Sequence, residues 1–111
     1  VLGVVDVDFQ ARVRRFLSDH HLAHTPETHA LDLLAEVGEV AKALLESSDY
    51  GQRPAAATPT LELELGDTFY SLVTLAEAVH VDLSSALDAA LARYEARIAA
   101  AGHAGNPHPQ P

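Results

Sequence analysis

Apolar residues recur along this chain with the spacing of an α-helix, and no stretch alternates apolar and polar residues for long enough to indicate a β-strand. Four segments carry the helical pattern, and we expect helices over residues 8–19, 26–47, 59–79 and 83–99. Thr25-Pro26 and Thr58-Pro59 mark two helix starts, because threonine caps a helix and proline fits its first position. Asp82 is suited to cap the fourth helix. The pattern therefore predicts an all-α fold built as a four-helix unit.

The chain of 111 residues has the length of one domain. We expect that domain to cover residues 1–101. From Gly102 onward the sequence is rich in glycine and proline and cannot continue a helix. Residues 102–111 are therefore predicted to be a disordered tail.

The second predicted helix has a broad apolar sector and an acidic side. Its central apolar stripe consists of Leu33, Val37, Val40 and Leu44, and neighbouring leucine, alanine and glycine residues widen it to about half of the circumference. The opposite side carries Asp32, Glu36, Glu39 and Glu46. Taken alone, this pattern is typical of an amphipathic helix with a solvated acidic face.

The third predicted helix has two polar sides instead of one. A narrow stripe of Glu64, Asp67, Ser71 and Thr74 runs between two apolar edges. A separate polar side, which we expect to face solvent, carries Glu62, Gly66, Glu77 and His80. Because a surface helix needs only one solvated face, the narrow stripe is predicted to face inward or into a cleft. The two apolar edges also predict that one side of this helix is buried against a partner chain.

The same acidic motif occurs in both of these helices. Glu36 and Glu39 in EVGE, and Glu64 and Asp67 in ELGD, are pairs three residues apart with a glycine before the second acid. Carboxylates gathered in a packed region repel one another and lose hydration, which a divalent cation corrects. Oxygen ligands without cysteine suit Mg²⁺, with Mn²⁺ as a substitute. Each glycine costs its helix about 1 kcal/mol relative to alanine, which indicates close helix approach or room for a ligand.

The charge and the composition of the chain limit the classes of molecule that it can bind and the compartment in which we expect it. The chain has 7 basic and 16 acidic residues, a net charge of −9, which argues against binding of nucleic acid and of an anionic membrane surface. It has no cysteine, which fits a reducing compartment, and we expect a cytoplasmic protein. Its many alanines and few aromatic residues are typical of a GC-rich bacterial genome.

Three longer stretches carry a resemblance to a known family. LAEVGEVAKAL, LELGDTFYSLVTLA and VDLSSALDAAL are similar to segments of the MazG-type all-α nucleoside triphosphate pyrophosphohydrolases. The resemblance implies cleavage of a (deoxy)nucleoside triphosphate to the monophosphate and pyrophosphate, in the housecleaning of nucleotide pools. It also implies a homodimer or a homotetramer built as a dimer of dimers. It assigns Glu36, Glu39, Glu64 and Asp67 as Mg²⁺ ligands and catalytic residues.

Other side chains are candidates for binding the substrate. Lys42 and the helical pair Arg93 and Arg97, with Tyr94 beside them, are suited to bind phosphate oxygens, although surface ion pairs with the excess acids explain these bases equally well. Some relatives hold the base with tryptophan, which this chain lacks. The residues that would contact the base here are Phe9, Phe16, Tyr70 or a histidine within residues 20–24.

Two alternatives stay open. Phosphoribosyl-ATP pyrophosphatases have a related architecture and acidic pattern, but they typically carry histidine after the tyrosine of the third helix, where this chain has Ser71. The second alternative is a non-catalytic helical dimerisation or regulatory module. It predicts neither metal binding nor hydrolysis, and the four retained acids argue against it.

Overall fold

The computed structural model describes residues 8–102, which contain four α-helices and no strand. These helices are α1 (Phe9–His20), α2 (Pro26–Ser47), α3 (Pro59–Ala78) and α4 (Leu83–Ala101). The all-α prediction is confirmed, and no helix end differs from its prediction by more than two residues. The predicted tail lies outside the described residues except for Gly102, which ends α4 with a φ of 79°. The chain forms two compact units, one up to Val81 and one from Asp82.

The predicted caps begin three of the helices. The Thr25 hydroxyl accepts a hydrogen bond from the Thr28 amide at the start of α2, and Thr58 does the same for Leu61 at the start of α3. Asp82 accepts a hydrogen bond from the amide of Ser85. Each cap satisfies an amide that the first turn leaves without a helical acceptor, which fixes the residue at which the helix begins.

Helices α2 and α3 pack along a seam whose residues recur at steps of three and four. In α2 the less exposed residues are Pro26, His29, Leu33, Glu36, Val40, Ala43 and Ser47. In α3 the matching residues are Leu61, Glu64, Thr68, Ser71, Leu75 and Ala78. This spacing is that of paired helices whose side chains interlock. We call this set of residues the α2–α3 seam.

Glu36 lies half-buried in the α2–α3 seam. The apolar pattern of α2 taken alone indicated a solvated position, whereas its prediction as a metal ligand shared with α3 required it to face that helix. Val37 and Leu44, expected at the centre of the apolar stripe, are 49% and 44% exposed. The apolar sector of α2 is so wide that only one edge of it packs against α3, and that edge includes Glu36. Asp32 and Glu46 are exposed as expected, and Glu39, which was predicted as a metal ligand with Glu36, is exposed as well.

The inward stripe predicted for α3 is confirmed towards its C-terminal half. Ser71 and Thr74 are 6% and 2% exposed, and the Thr74 hydroxyl donates to the carbonyl oxygen of Ser71 at 2.8 Å. Because this hydroxyl is satisfied within its own helix, its burial costs little. Val73, next to them, is fully buried. The polar stripe thus runs from the protein interior at Thr74 to the surface at Asp67.

Helix α1 packs against α3 and overturns the prediction that Glu77 is solvated. The Glu77 carboxylate accepts from the Nε atom of Arg14 at 2.6 Å and from the amide of Gln10 at 2.8 Å. The ring of Phe9 meets Phe69 edge-on at 5.5 Å. The second polar side of α3 is therefore partly covered, because α1 supplies a cation to Glu77 that the sequence of α3 alone does not reveal.

Large apolar side chains remain on the surface of the single chain. Leu31 and Leu34 of α2 are 67% and 70% exposed, and Leu63 of α3 is 69% exposed. In α4 no residue is buried, and Leu87 is 57% exposed. No helix among residues 8–102 combines the length and the apolar character needed to span a bilayer.

Candidate active site

Three carboxylates from two helices meet in the α2–α3 seam. Glu36 comes from the middle of α2, and Glu64 and Asp67 come from successive turns of α3. One oxygen from each of the three lies within 4.8 Å of the other two. Glu36 and Glu64 are half-buried, whereas Asp67 is exposed, so the group opens to solvent on one side. We call these three residues the acidic cluster.

The negative charges of the acidic cluster repel one another, and this repulsion shows in the pKa of Glu36. Loss of hydration raises the pKa of Glu36 above its ordinary value of 4.5, and the charges of Asp67, Glu64 and Glu39 raise it further. A hydrogen bond with the Glu64 side chain also favours the protonated form of Glu36. Among residues 8–102, none of the three carboxylates forms an ion pair with a basic side chain.

The donor set of the acidic cluster fits a hard divalent cation. Carboxylate oxygens on converging helices are typical ligands of Mg²⁺ and Mn²⁺, which also keep several waters. A cation would remove the repulsion that raises the pKa of Glu36. The exposed position of Asp67 leaves that side free for water or a phosphate oxygen.

Glu39, the fourth acid of the two repeated motifs, lies outside the acidic cluster. It is exposed on α2, one turn beyond Glu36. Its charge still reaches Glu36, since it contributes to the raised pKa there. The structure thus brings together three of the four predicted ligands and leaves Glu39 beside them.

The glycines of the two acidic motifs, EVGE and ELGD, border open space. A Cβ atom built on Gly38 or on Gly66 would meet no heavy atom within 4 Å. Close approach of helices within the chain therefore does not explain either glycine. Gly66 instead lines a groove beside Asp67, which agrees with the alternative that it leaves room for a ligand.

That groove lies between α1 and α3 and has a volume of about 720 Å³. It is lined by Phe9, Arg12, Val13, Phe16, Gly66, Asp67, Phe69 and Tyr70. We call it the α1–α3 groove. It holds three of the residues that the sequence suggested for contact with a base, namely Phe9, Phe16 and Tyr70. The Phe16 ring meets Tyr70 edge-on at 5.9 Å and His20 at 4.6 Å.

Sequence reasoning missed Arg12. It lies on α1 between Phe9 and Phe16, and its side chain lines the same groove as Asp67. The only available signal was its spacing from the two phenylalanines, one turn away on either side. That spacing becomes informative only when α1 is known to pack against α3.

The remaining candidates for phosphate binding lie on α2 and α4. Lys42 is exposed, one turn beyond Glu39. Within α4, the guanidinium carbons of Arg93 and Arg97 lie 5.5 and 5.7 Å from the centre of the Tyr94 ring. These distances are those of cation–π contacts, so Tyr94 gathers two positive charges on one face of α4.

Comparisons with known proteins identify the family and the fold of this chain. The family model of the MazG nucleotide pyrophosphohydrolase domain matches residues 24–100. The uncharacterised protein YpjD of Bacillus subtilis strain 168 is 30% identical over 94 residues, covering 81% of this chain and 83% of that protein. The crystal structure of the "putative pyrophosphatase YPJD" from Bacillus subtilis superposes with a TM-score of 0.64 at 28% identity, covering 82% of this chain and 93% of that chain. The chain therefore belongs to the MazG nucleotide pyrophosphohydrolase family.

Proposed function

We propose that this protein is a Mg²⁺-dependent nucleoside triphosphate pyrophosphohydrolase that releases pyrophosphate and a nucleoside monophosphate. The observation that carries the proposal is the acidic cluster. Glu36 and Glu64 occupy positions of the α2–α3 seam where an apolar residue would stabilise the helix pair. Charge at such positions is costly unless a ligand compensates it. Membership of the MazG family supplies the class of ligand, a metal-bound nucleotide.

Each acid has a proposed role in the reaction. Glu36, Glu64 and Asp67 would hold the metal, with Mn²⁺ as a substitute, and Glu39 would complete the set from the rim of the acidic cluster. Bound there, Mg²⁺ supplies neutralisation of phosphate charge and activation of water. Glu36 or Glu39 would orient the attacking water and accept its proton, since Glu36 belongs to the acidic cluster and Glu39 is exposed one turn further along the same helix.

Cationic and aromatic residues would position the rest of the substrate. Lys42 lies on the same helix as Glu39 and would bind phosphate oxygens as a point charge. We assign a similar role to Arg93 and Arg97, which Tyr94 holds on one face of α4. Tyr70, half-buried in the α1–α3 groove, would contact the nucleoside.

The exposed leucines support a homodimer or homotetramer as the working form. Leu31, Leu34 and Leu63 are each about two-thirds exposed in the single chain. Such residues on one small chain are typical of a surface that pairs with another subunit. We place the protein in the cytoplasm of a bacterium, where it would remove unwanted (deoxy)nucleoside triphosphates.

The decisive experiment is a substrate panel with product analysis. Standard and modified ribo- and deoxyribonucleoside triphosphates, together with phosphoribosyl-ATP, are incubated with the full chain and Mg²⁺. Phosphorus NMR then separates pyrophosphate from orthophosphate. We expect pyrophosphate in equal amount to nucleoside monophosphate, and none in the presence of a chelator. Release of orthophosphate would overturn the proposal, a strong preference for phosphoribosyl-ATP would favour the related enzyme, and complete inactivity without metal binding would favour a non-catalytic module.

A further inference from the structure

His29 is a buried histidine near the start of α2, about 10 Å along the helix axis from Glu36. Its side chain is held among other residues, since the residue is only 5% exposed. The Nε2 atom accepts a hydrogen bond from the backbone amide of His24 at 3.1 Å. Because a backbone amide can only donate, Nε2 must keep its lone pair, and the ring must be neutral with its proton on Nδ1.

This hydrogen bond attaches the segment between the first two helices to α2. We call residues 21–25 the α1–α2 connector. Its end is bound to the start of α2 by three hydrogen bonds. The Thr25 carbonyl oxygen accepts from the backbone amide of His29 at 3.1 Å, and the Thr25 hydroxyl accepts from the amide of Thr28 at 3.2 Å. The third bond, from His24 to the His29 ring, is the one of these three that a proton can remove.

The charged and titratable groups around His29 come from α1, α3 and the connector. A cavity of about 340 Å³ lies between these elements and α2, and Arg14, His24 and Glu77 line it together with His29. The centres of the His24 and His29 rings are 5.8 Å apart. The Glu77 carboxylate already accepts hydrogen bonds from Arg14 and Gln10. A positive charge on His29 would therefore lie beside a second cation, and the carboxylate that lines the cavity is already engaged.

We propose that His29 is a pH-sensitive latch, which holds the α1–α2 connector on α2 while its ring is neutral and releases the connector when Nε2 gains a proton. A proton on Nε2 turns the acceptor into a donor that faces the donor of the His24 amide, so the hydrogen bond cannot form. Histidine is the side chain suited to such a change between about pH 5 and 8. The latch is independent of the proposed hydrolysis, because it requires neither a metal nor a nucleotide.

Release of the latch should act on the start of α2 and leave the packing of α1 in place. Helix α1 keeps its own contacts with α3, namely the ring contact of Phe9 with Phe69 and the ion pair of Arg14 with Glu77. We therefore expect a local opening of the connector and of the first turn of α2. The cavity behind the connector would then be accessible to solvent.

Nuclear magnetic resonance of the nitrogen-15-labelled full chain, without metal, tests the latch at pH 7.5 and pH 5.5. At pH 7.5 the ring nitrogens of His29 should show a proton on Nδ1 and none on Nε2. The protection factor of the His24 amide against hydrogen exchange should fall roughly tenfold at pH 5.5, the size expected for the loss of one hydrogen bond. An equal fall at the amide of Val73, a fully buried residue of α3, would indicate global unfolding and overturn the latch.

Two variants separate His29 from its neighbour. His29→Gln offers a side-chain oxygen that accepts a hydrogen bond and does not titrate in this range, so the His24 amide should be equally protected at both pH values. His24→Gln is the matched control, because it removes the neighbouring histidine and keeps the backbone amide. It should show the pH dependence of the wild-type protein. A wild-type response in His29→Gln, or no response in His24→Gln, would assign the effect to another group and overturn the latch.

The wild-type ring decides the matter if the glutamine oxygen does not reach the amide. In that case the His24 amide of His29→Gln would be unprotected at both pH values. A wild-type ring with its proton on Nδ1 at pH 7.5, together with loss of protection at pH 5.5, would then support the latch. A proton on Nε2 at pH 7.5, or equal protection of the wild-type His24 amide at both pH values, would overturn it.

Discussion

The side chains of Glu36 and Glu64 meet across the α2–α3 seam, with one carboxylate oxygen of each within 4.8 Å of the other. Two helices that could have packed through apolar residues at these positions are instead joined through a carboxyl pair. The pair cannot ionise fully without repulsion. The stability of the metal-free protein and its affinity for cations are therefore linked through the same two side chains.

Neutralising the acidic cluster should remove the response to metal without harming the fold. We expect Mg²⁺ or Mn²⁺ to raise the melting temperature of the wild-type protein, because a ligand that binds only the folded state stabilises it. Asp67→Asn and Glu36→Gln should lose this shift and all hydrolysis, while the metal-free variants melt at the same temperature as wild type or higher. Differential scanning fluorimetry with and without metal measures both effects.

The matched control for that experiment is Glu62→Gln. Glu62 is exposed on α3 and lies outside the acidic cluster. The variant carries the same change of charge, so it should keep both activity and the metal-dependent shift. A metal-free Asp67→Asn protein that melts well below wild type would indicate a structural ion pair instead of a metal ligand.

Glu39→Gln tests the acid that lies outside the acidic cluster. Because Glu39 is exposed and stands beside Glu36, its removal should lower the pKa of Glu36 and weaken metal binding less than removal of Glu64. Hydrolysis should nevertheless be abolished if Glu39 completes the metal site or orients the water. Calorimetric titration with Mn²⁺ compares the affinities of Glu39→Gln and Glu64→Gln. Full activity in Glu39→Gln would remove it from the proposed machinery.

The raised pKa of Glu36 predicts how stability changes with pH in the absence of metal. A carboxyl whose pKa is higher in the folded protein contributes stability below its unfolded value of 4.5, and that contribution is lost as the pH rises through the folded value. The melting temperature of wild type should therefore fall relative to Glu36→Gln as the pH increases above 4.5. Saturating Mg²⁺ should reverse the trend, because the metal binds the ionised form. A constant difference between the two proteins across this range would contradict the prediction.

Glu77 should show the opposite dependence. Its hydrogen bonds with Arg14 and Gln10 lower its pKa below 4.5, so the stability that it contributes is present above that value and is lost as the pH falls through the folded pKa. Glu77→Gln should cost about 1 kcal/mol at neutral pH, since Arg14 is 61% exposed and the ion pair is partly screened. Urea unfolding at pH 7 and below pH 4 checks whether the difference disappears in acid.

The sequence was most informative where local chemistry decides the structure. Thr25, Thr58 and Asp82 each have a side chain that caps the helix directly after them, so the starts of α2, α3 and α4 could be read without knowledge of the fold. The inward direction of Ser71 and Thr74 was also predictable. Two polar sides on one helix leave only one of them for solvent.

The errors arose where a second helix decides the outcome. Glu36 belongs to the acidic side of α2 by its neighbours, but pairing with α3 places it in the seam. Glu77 was expected in solvent because Arg14 and Gln10, which bind it, lie 63 and 67 residues away in the sequence. Arg12 was missed for the same reason. Helical periodicity describes one helix at a time and carries no information on which sector of it will be covered.

The capping residues also determine the rotational positions of the acidic side chains on α2 and α3. Pro26 and Pro59 occupy the first positions of α2 and α3, ten residues before Glu36 and five before Glu64. One inserted residue in either interval would turn the carboxylate by about 100° away from the other helix. An insertion within residues 52–57, between the two helices, would leave both carboxylates in place. Changes in length are therefore tolerable in the connecting loop, whereas between each proline and its acid they would be destructive. The two Thr-Pro pairs thus set, through the residue at which each helix begins, the direction in which its acids point.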